Sequence, residues 1–253
     1  MSDFDRNLAA RGFGAARATV IDEGLRAYMI RVYNYMAAGV ALTGVVAWLT
    51  YNAAVVTNAA GQITELTPFG SAIFGGPVTL ILLLGTLGIV FFISFRINQL
   101  QASTALVLFM VYAGLLGLML SSVFLAYTGA SITRTFFVTA ASFGALSLYG
   151  YTTQRDLSPV GSFLVMGLFG LILAMIVNIF LKSTGLEFAI SVIGVLIFAG
   201  LTAWDTQRIK EMYDVSDDGT IAGRKAVMGA LTLYLDFINL FLFLLRFMGD
   251  RND

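Results

Sequence analysis

Two carboxylates stand where a carboxylate is costly. Asp205 lies in Ala199-Gly-Leu-Thr-Ala-Trp-Asp-Thr-Gln-Arg208, and Asp236 in Leu231-Thr-Leu-Tyr-Leu-Asp-Phe-Ile-Asn239. No other acidic residue sits well inside an apolar run. An acid surrounded by hydrocarbon must be protonated, paired or turned toward water. If these two meet, like charges cannot both ionise cheaply, and the pair shares a proton. Ionised, they offer several hard oxygen ligands of the kind Ca²⁺ takes. Two side chains fall short of a six-to-eight-oxygen cage, so such a site is weak and transient. A permeation path needs that weakness, because an ion that enters must also leave.

Whether the two acids meet is left open by their depths. Asp236 lies roughly 16 Å of helix rise past Lys225, near the middle of a hydrocarbon core about 30 Å thick. Asp205 lies roughly 7–8 Å before Lys210. Straight helices would hold them about one and a half turns apart, and tilt or a late start of the last helix would close that gap. The plainer roles are an ion pair of Asp205 with Arg208 at i+3 and a packing hydrogen bond of Asp236 to a nearby Asn or Thr, such as Asn239. Arg208 and Asn239 are therefore candidate supporting polar residues. Arg96, at the end of an earlier apolar run, is a candidate electrostatic latch for an ionised aspartate. Its plainer role is a cationic anchor snorkelling to lipid headgroups.

The residue counts narrow the chemistry further. The 253 residues contain no histidine and no cysteine. That excludes His-ligated metals, Ser–His pairs, thiolate nucleophiles, iron–sulfur clusters and disulfides. Fifteen basic and fifteen acidic residues cancel, which gives no case for nucleic-acid binding. No cofactor is expected beyond transported Ca²⁺. The stretch Asp214-Val-Ser-Asp-Asp-Gly219 only faintly resembles a calcium loop, lacking its bidentate Glu, and reads as a solvated loop.

The elements that must position the two aspartates are membrane helices. Charged residues make up 12% of the chain and hydrophobic ones 58%, too few charges for the polar skin of a soluble globule. The mean hydropathy is +0.85. Runs of spanning length predict seven helices, at 30–49, 78–95, 104–127, 135–151, 160–181, 186–207 and 226–248. The fourth is thinned by Thr139, Ser142 and Ser147. Pro77 and Pro159 sit just before two of the runs, where proline favours a first turn. The fold class is thus all-α, a polytopic seven-helix bundle in one domain over residues 30–249. A polar, uncleaved tail precedes it at 1–29, and a short tail follows at 250–253. Glycines within the runs, among them Gly39, Gly44, Gly117, Gly194 and Gly200, predict close helix packing.

Basic residues set the orientation. With seven spans, one side holds Arg6, Arg11, Arg17, Arg26, Arg31, Arg96, Arg155, Arg208, Lys210, Arg224 and Lys225. The other holds Arg134, Lys182, Arg246 and Arg251. This bias predicts a cytoplasmic N-terminus.

Three segments carry a family likeness. Thr202-Ala-Trp-Asp-Thr-Gln-Arg-Ile-Lys210 closes the sixth run. Leu233-Tyr-Leu-Asp-Phe-Ile-Asn-Leu-Phe-Leu-Phe-Leu-Leu-Arg-Phe-Met-Gly249 makes up most of the seventh, and Ile30-Arg-Val-Tyr-Asn-Tyr-Met36 opens the first. They resemble the signature segments of the Bax inhibitor-1 family, the transmembrane Bax inhibitor motif proteins, in its bacterial branch. The resemblance implies a last helix at the centre of the other six, residence in a bacterial inner membrane, and a pH-sensitive Ca²⁺ leak. It implies that Asp205 and Asp236 are the paired proton sensors, closed when protonated and hydrogen-bonded to each other. It carries Arg96 over only weakly. It also implies links to cell-death protection and stress response, and to modulation of a membrane protease as partner.

Two other classes share parts of this pattern. Aspartates on adjacent helices also describe intramembrane aspartyl proteases. Those carry Gly-x-Gly-Asp and a later Pro-Ala-Leu. Here Leu233-Tyr-Leu precedes Asp236 and no proline follows Pro159, so no enzyme is expected. A non-conducting membrane regulator that binds a partner would not need Asp236 at mid-depth.

Overall fold

A computed structural model describes residues 3–58 and 63–252, with side chains described from residue 23 onward. The charged side chains of the expected tail up to residue 22, and residue 253 of the short end, lie outside the described residues. The chain begins with α1 (Asp3–Ala54), which runs without interruption through the first expected span. A small antiparallel hairpin follows, β1 (Val55–Thr57) and β2 (Ile63–Leu66), with Val55 opposite Leu66 and Val56 opposite Glu65. Then come α2 (Pro68–Gly75), α3 (Pro77–Arg96), α4 (Ala102–Leu120), α5 (Val123–Ala126) and α6 (Gly129–Thr152). The chain closes with α7 (Ser158–Leu181), α8 (Thr184–Glu211) and α9 (Gly219–Met248).

Local chemistry sets these boundaries. All three prolines stand in the first turn of a helix, α2, α3 and α7, where the missing N–H costs nothing. Side-chain oxygens of Thr67, Thr128, Ser183 and Asp218 cap α2, α6, α8 and α9. The expected third span, 104–127, is broken into α4 and α5. At the break Ser121 and Ser122 turn their hydroxyls onto the carbonyls of Leu118 and Met119, three residues back. Such local bonds compete with the helix ladder. The hairpin and α2 fill the connection between the first two expected spans; both are short and lack a spanning pattern.

Among the described residues six helical segments are long and apolar enough to cross a membrane: α1 from Glu23, α3, α4 with α5, α7, α8 and α9. The protein is an all-α polytopic membrane protein. Helix α6 is as long as α7, 24 residues, but threonine and serine dilute its apolar character. It runs between the same two ends of the bundle. Its start is tied to the C-terminal segment by Thr128 N–H to Asp250 O (3.1 Å) and Asp250 N–H to Ser131 Oγ (2.8 Å). Its far end receives Lys210 Nζ on the carbonyl of Tyr151 (2.9 Å).

Burial is graded from helix to helix. In α9, 67% of the apolar window is buried, against 44% in α8, 11% in α3 and 6% in α7. Helix α9 packs on α1, α4, α6 and α8, whereas α3 packs mainly on α4 and α7 mainly on α8. The two outer helices expose Leu80, Ile81, Phe91, Phe163, Phe169 and Phe180, the surface lipid would cover. Around α9 the core gathers Val32, Phe109, Leu231, Leu233, Tyr234 and Leu240. Close approach depends on glycine at some contacts. A side chain at Gly150 would strike the carbonyl of Ala203 on α8, and one at Gly194 would strike the ring of Phe243 on α9. At Gly44, Gly85 and Gly88 there is open space instead.

Candidate functional site

Helices α8 and α9 run antiparallel, and their register decides what faces Asp205. Gly229 sits against Ile209, and Gly194 against Phe243. On this register Asp205 comes level with Thr232 and Leu233, about one helical turn, or 5 Å, from Asp236. Helical side chains lean toward the N-terminus of their own helix. In an antiparallel pair the two acids therefore lean toward each other and close that turn. The carboxyl groups lie within hydrogen-bond reach of one another.

Both acids are buried, Asp205 at 8% and Asp236 at 5% exposure. Oδ2 of Asp236 is enclosed with no hydrogen-bond donor among the described residues. Carboxylates accept and do not donate. The contact is therefore satisfied only when a proton lies between the two groups, or when a cation replaces it.

The other expected residues divide. Arg208 Nη1 stands 3.9 Å from Asp205 Oδ1, at the outer limit of an ion pair, with its guanidinium 5.5 Å from the ring centre of Trp204. It is well exposed, which makes the pair a weak one. Asn239 commits its amide nitrogen to the carbonyl of Leu235, 2.8 Å away on its own helix, rather than to Asp236. Arg96 does not reach the aspartates. Its Nη1 donates to Gln99 Oε1 in the turn that follows α3. The reason is architectural: α3 rests on α4, away from the α8–α9 contact. Arg96 is therefore not placed to latch the pair.

A cavity of about 830 Å³ occupies the gap between α7, α8 and α9. Asp205 and Asp236 lie in its wall with Thr232 and Asn239. Arg208 stands toward one end and Arg246, not foreseen from the sequence, toward the other. The signal for Arg246 was present: Asp236, Asn239, Phe243 and Arg246 recur at intervals of three and four, one helix face. Met175, Leu168 and Val165 of α7 supply the apolar side. Among the described residues no three of His, Cys, Asp and Glu gather to hold a metal ion. A cation here would meet two carboxylates, backbone or amide oxygens, and water.

A second polar feature was not anticipated. Tyr33 of α1 is bonded to Ser147 of α6 (2.6 Å), and Ser147 to Thr206 of α8 (3.0 Å). Thr206 donates in turn to the carbonyl of Thr202 (2.7 Å), so this hydroxyl chain ends within α8. The serine that weakened the fourth run as a hydrophobic segment is thus a buried bonding partner.

Residues 25–253 match the family model described as inhibitor of apoptosis-promoting Bax1. The chain is 47% identical over its whole length to protein RP147 of Rickettsia prowazekii, which it covers completely. It is 48% identical over 231 residues to inner membrane protein YbhL of Escherichia coli, covering 90% of this chain and 93% of that one. With protein YrjE of Lactococcus lactis it shares 39% over 228 residues, 90% of this chain and 92% of the other.

Proposed function

Since the chain belongs to the Bax inhibitor-1 family, we propose that it is a proton-regulated cation leak of the bacterial inner membrane, with Ca²⁺ as its cargo. In this reading α6 counts as a seventh span, α9 is the central helix, and the N-terminus faces the cytoplasm. The observation that carries the proposal is the buried meeting of Asp205 and Asp236 in the wall of the α7–α8–α9 cavity.

With one proton between them the two groups form a neutral-plus-charged hydrogen-bonded pair. Losing that proton leaves two anions at contact, a repulsion of about 4 kcal/mol at an effective dielectric near 20. Two responses relieve it: α8 moves from α9, or a cation enters. The close contacts at Gly194 and Gly229, one on each side of the pair, oppose separation. Entry of a cation from the cavity is the smaller change. Arg208 and Arg246 flank the path and keep its residence short. This reading assigns no catalytic step.

The test is Ca²⁺ flux into liposomes containing the purified protein across a pH series, with Asp205→Asn and Asp236→Asn beside the parent. The expected result is a pH-dependent flux that either substitution abolishes or makes insensitive to pH. Flux no greater than in empty liposomes at every pH would overturn the leak and favour a partner-binding regulator.

A further inference from the structure

Helices α1 and α6 both pack on α9 but scarcely on each other, and the seam between them is open. The contact of Phe143 with Phe237 (ring centres 5.5 Å apart) divides it. On the side of Arg26 the seam forms a cavity of about 660 Å³, lined by Arg26, Met29, Ile30, Tyr33, Phe143 and Tyr151. We infer that this cavity is a binding site for one anionic phospholipid of the adjoining leaflet, its phosphate on Arg26 and an acyl chain laid along the α1–α6 seam.

Charge supplies the first argument. Among the described residues Arg26 forms no ion pair, and neither does Glu23, one turn before it. A second cation stands behind a lining residue, since Lys210 donates to the Tyr151 carbonyl and lies 5.8 Å from the centre of its ring. Two cations at the boundary of an apolar groove match an anionic headgroup and disfavour a zwitterionic one, whose ammonium they would repel.

Shape supplies the second. Below Arg26 the wall is apolar, with Ile30 and Leu148 half-exposed or more at its mouth. Gly144 removes a side chain from the floor, and a Cβ there would touch nothing within 4 Å. The space is therefore vacant by sequence rather than by strained packing. A hydrocarbon chain fills such a groove at no desolvation cost. Tyr33 links the site through Ser147 to Thr206 and the Thr202 carbonyl, so an occupant leans on a bonded chain that ends within α8.

The experiment is native mass spectrometry of the detergent-purified protein titrated with phosphatidylglycerol or with phosphatidylcholine of identical chains. The parent is expected to retain one phosphatidylglycerol in preference to phosphatidylcholine. Arg26→Gln should reduce that preference about fivefold, the loss of one basic contact. Gly144→Leu should fill the floor and weaken retention of both lipids. Inorganic phosphate at millimolar concentration should not displace the lipid. Equal retention of the two lipids by the parent would overturn the inference, as would parent-like selectivity in Arg26→Gln. Displacement by inorganic phosphate would reduce the site to a simple anion contact. Arg26 lies on the rim, so its substitution remains informative if the Gly144 variant fails to fold. Binding is read without flux, and the result stands or falls independently of the leak.

Discussion

Three helices are tied by one buried relay whose donors can be assigned, and the assignment predicts an asymmetry. Thr43 of α1 has a single hydroxyl proton, and it donates to the carbonyl of Ala113 on α4 (2.9 Å). The bond between Thr43 Oγ1 and Tyr234 OH of α9 (2.6 Å) must then run from tyrosine to threonine. Tyr234 is wholly buried, and its ring makes edge contacts with Phe109 (5.4 Å) and Tyr112 (6.0 Å). Tyr234→Phe keeps those ring contacts and removes only the hydroxyl. Thr43 keeps its proton acceptor and loses one donor to it, so the cost is that of an ordinary membrane hydrogen bond, about 0.6 kcal/mol. Thr43→Val is worse. It leaves the tyrosine hydroxyl buried without an acceptor, a penalty of about 1–3 kcal/mol. In the double variant the orphaned hydroxyl is gone, and the loss should fall below the sum of the two single losses by roughly 0.5 kcal/mol or more. The assay is unfolding of the detergent-solubilised protein, by denaturant or heat, for parent, both single variants and the double variant. A larger loss in Tyr234→Phe than in Thr43→Val would refute the donor assignment. Strict additivity would refute the bond itself.

Further predictions concern packing, the C-terminal segment and pH. Gly194→Leu should destabilise the protein by about 1–3 kcal/mol by forcing the Phe243 ring aside, measured by the same unfolding assay. Arg251→Ala removes an exposed ion pair with Glu187 (2.8 Å) and should cost less than about 1 kcal/mol. Asn252→Ala should cost more than Arg251→Ala, because its amide serves the carbonyls of Phe124, Leu125 and Tyr127; equal losses would argue against that bonding. In the α8–α9 loop, the N–H and hydroxyl of Ser216 hold the carboxyl of Asp214 below its ordinary range. A depressed carboxyl stabilises the loop above its ordinary titration range and loses that effect as pH falls through its folded value. Protection of the Ser216 amide, measured as exchange relative to its intrinsic rate at each pH, should therefore fall on acidification in the parent, and that acid-dependent fall should vanish in Asp214→Asn.

Residue types alone determined a good deal. Twelve per cent charge and repeated apolar runs put the chain in lipid, and no histidine or cysteine left carboxylates as the titrating groups for any site within it. The cost of an acid in hydrocarbon singled out Asp205 and Asp236 without any coordinates. The helix starts at Pro77 and Pro159 were legible because proline's missing N–H suits a first turn. What the sequence could not decide was relative placement. Depth measured along each chain held the two acids about one and a half turns apart, and only the α8–α9 register, with side chains leaning toward opposite N-termini, brought them together. Arg96 was a candidate latch by its charge at the end of an apolar run; its helix lies against α4, and rotation around the bundle cannot be read from a linear pattern. The role of Ser147 escaped for a related reason. A hydroxyl in an apolar run reads as weakened hydrophobicity until its partner is known, and that partner lies on another helix. Composition fixes the solvent and the costly groups, because those are properties of single residues. Contacts between helices belong to pairs of surfaces, and only the tertiary structure chooses the pairs.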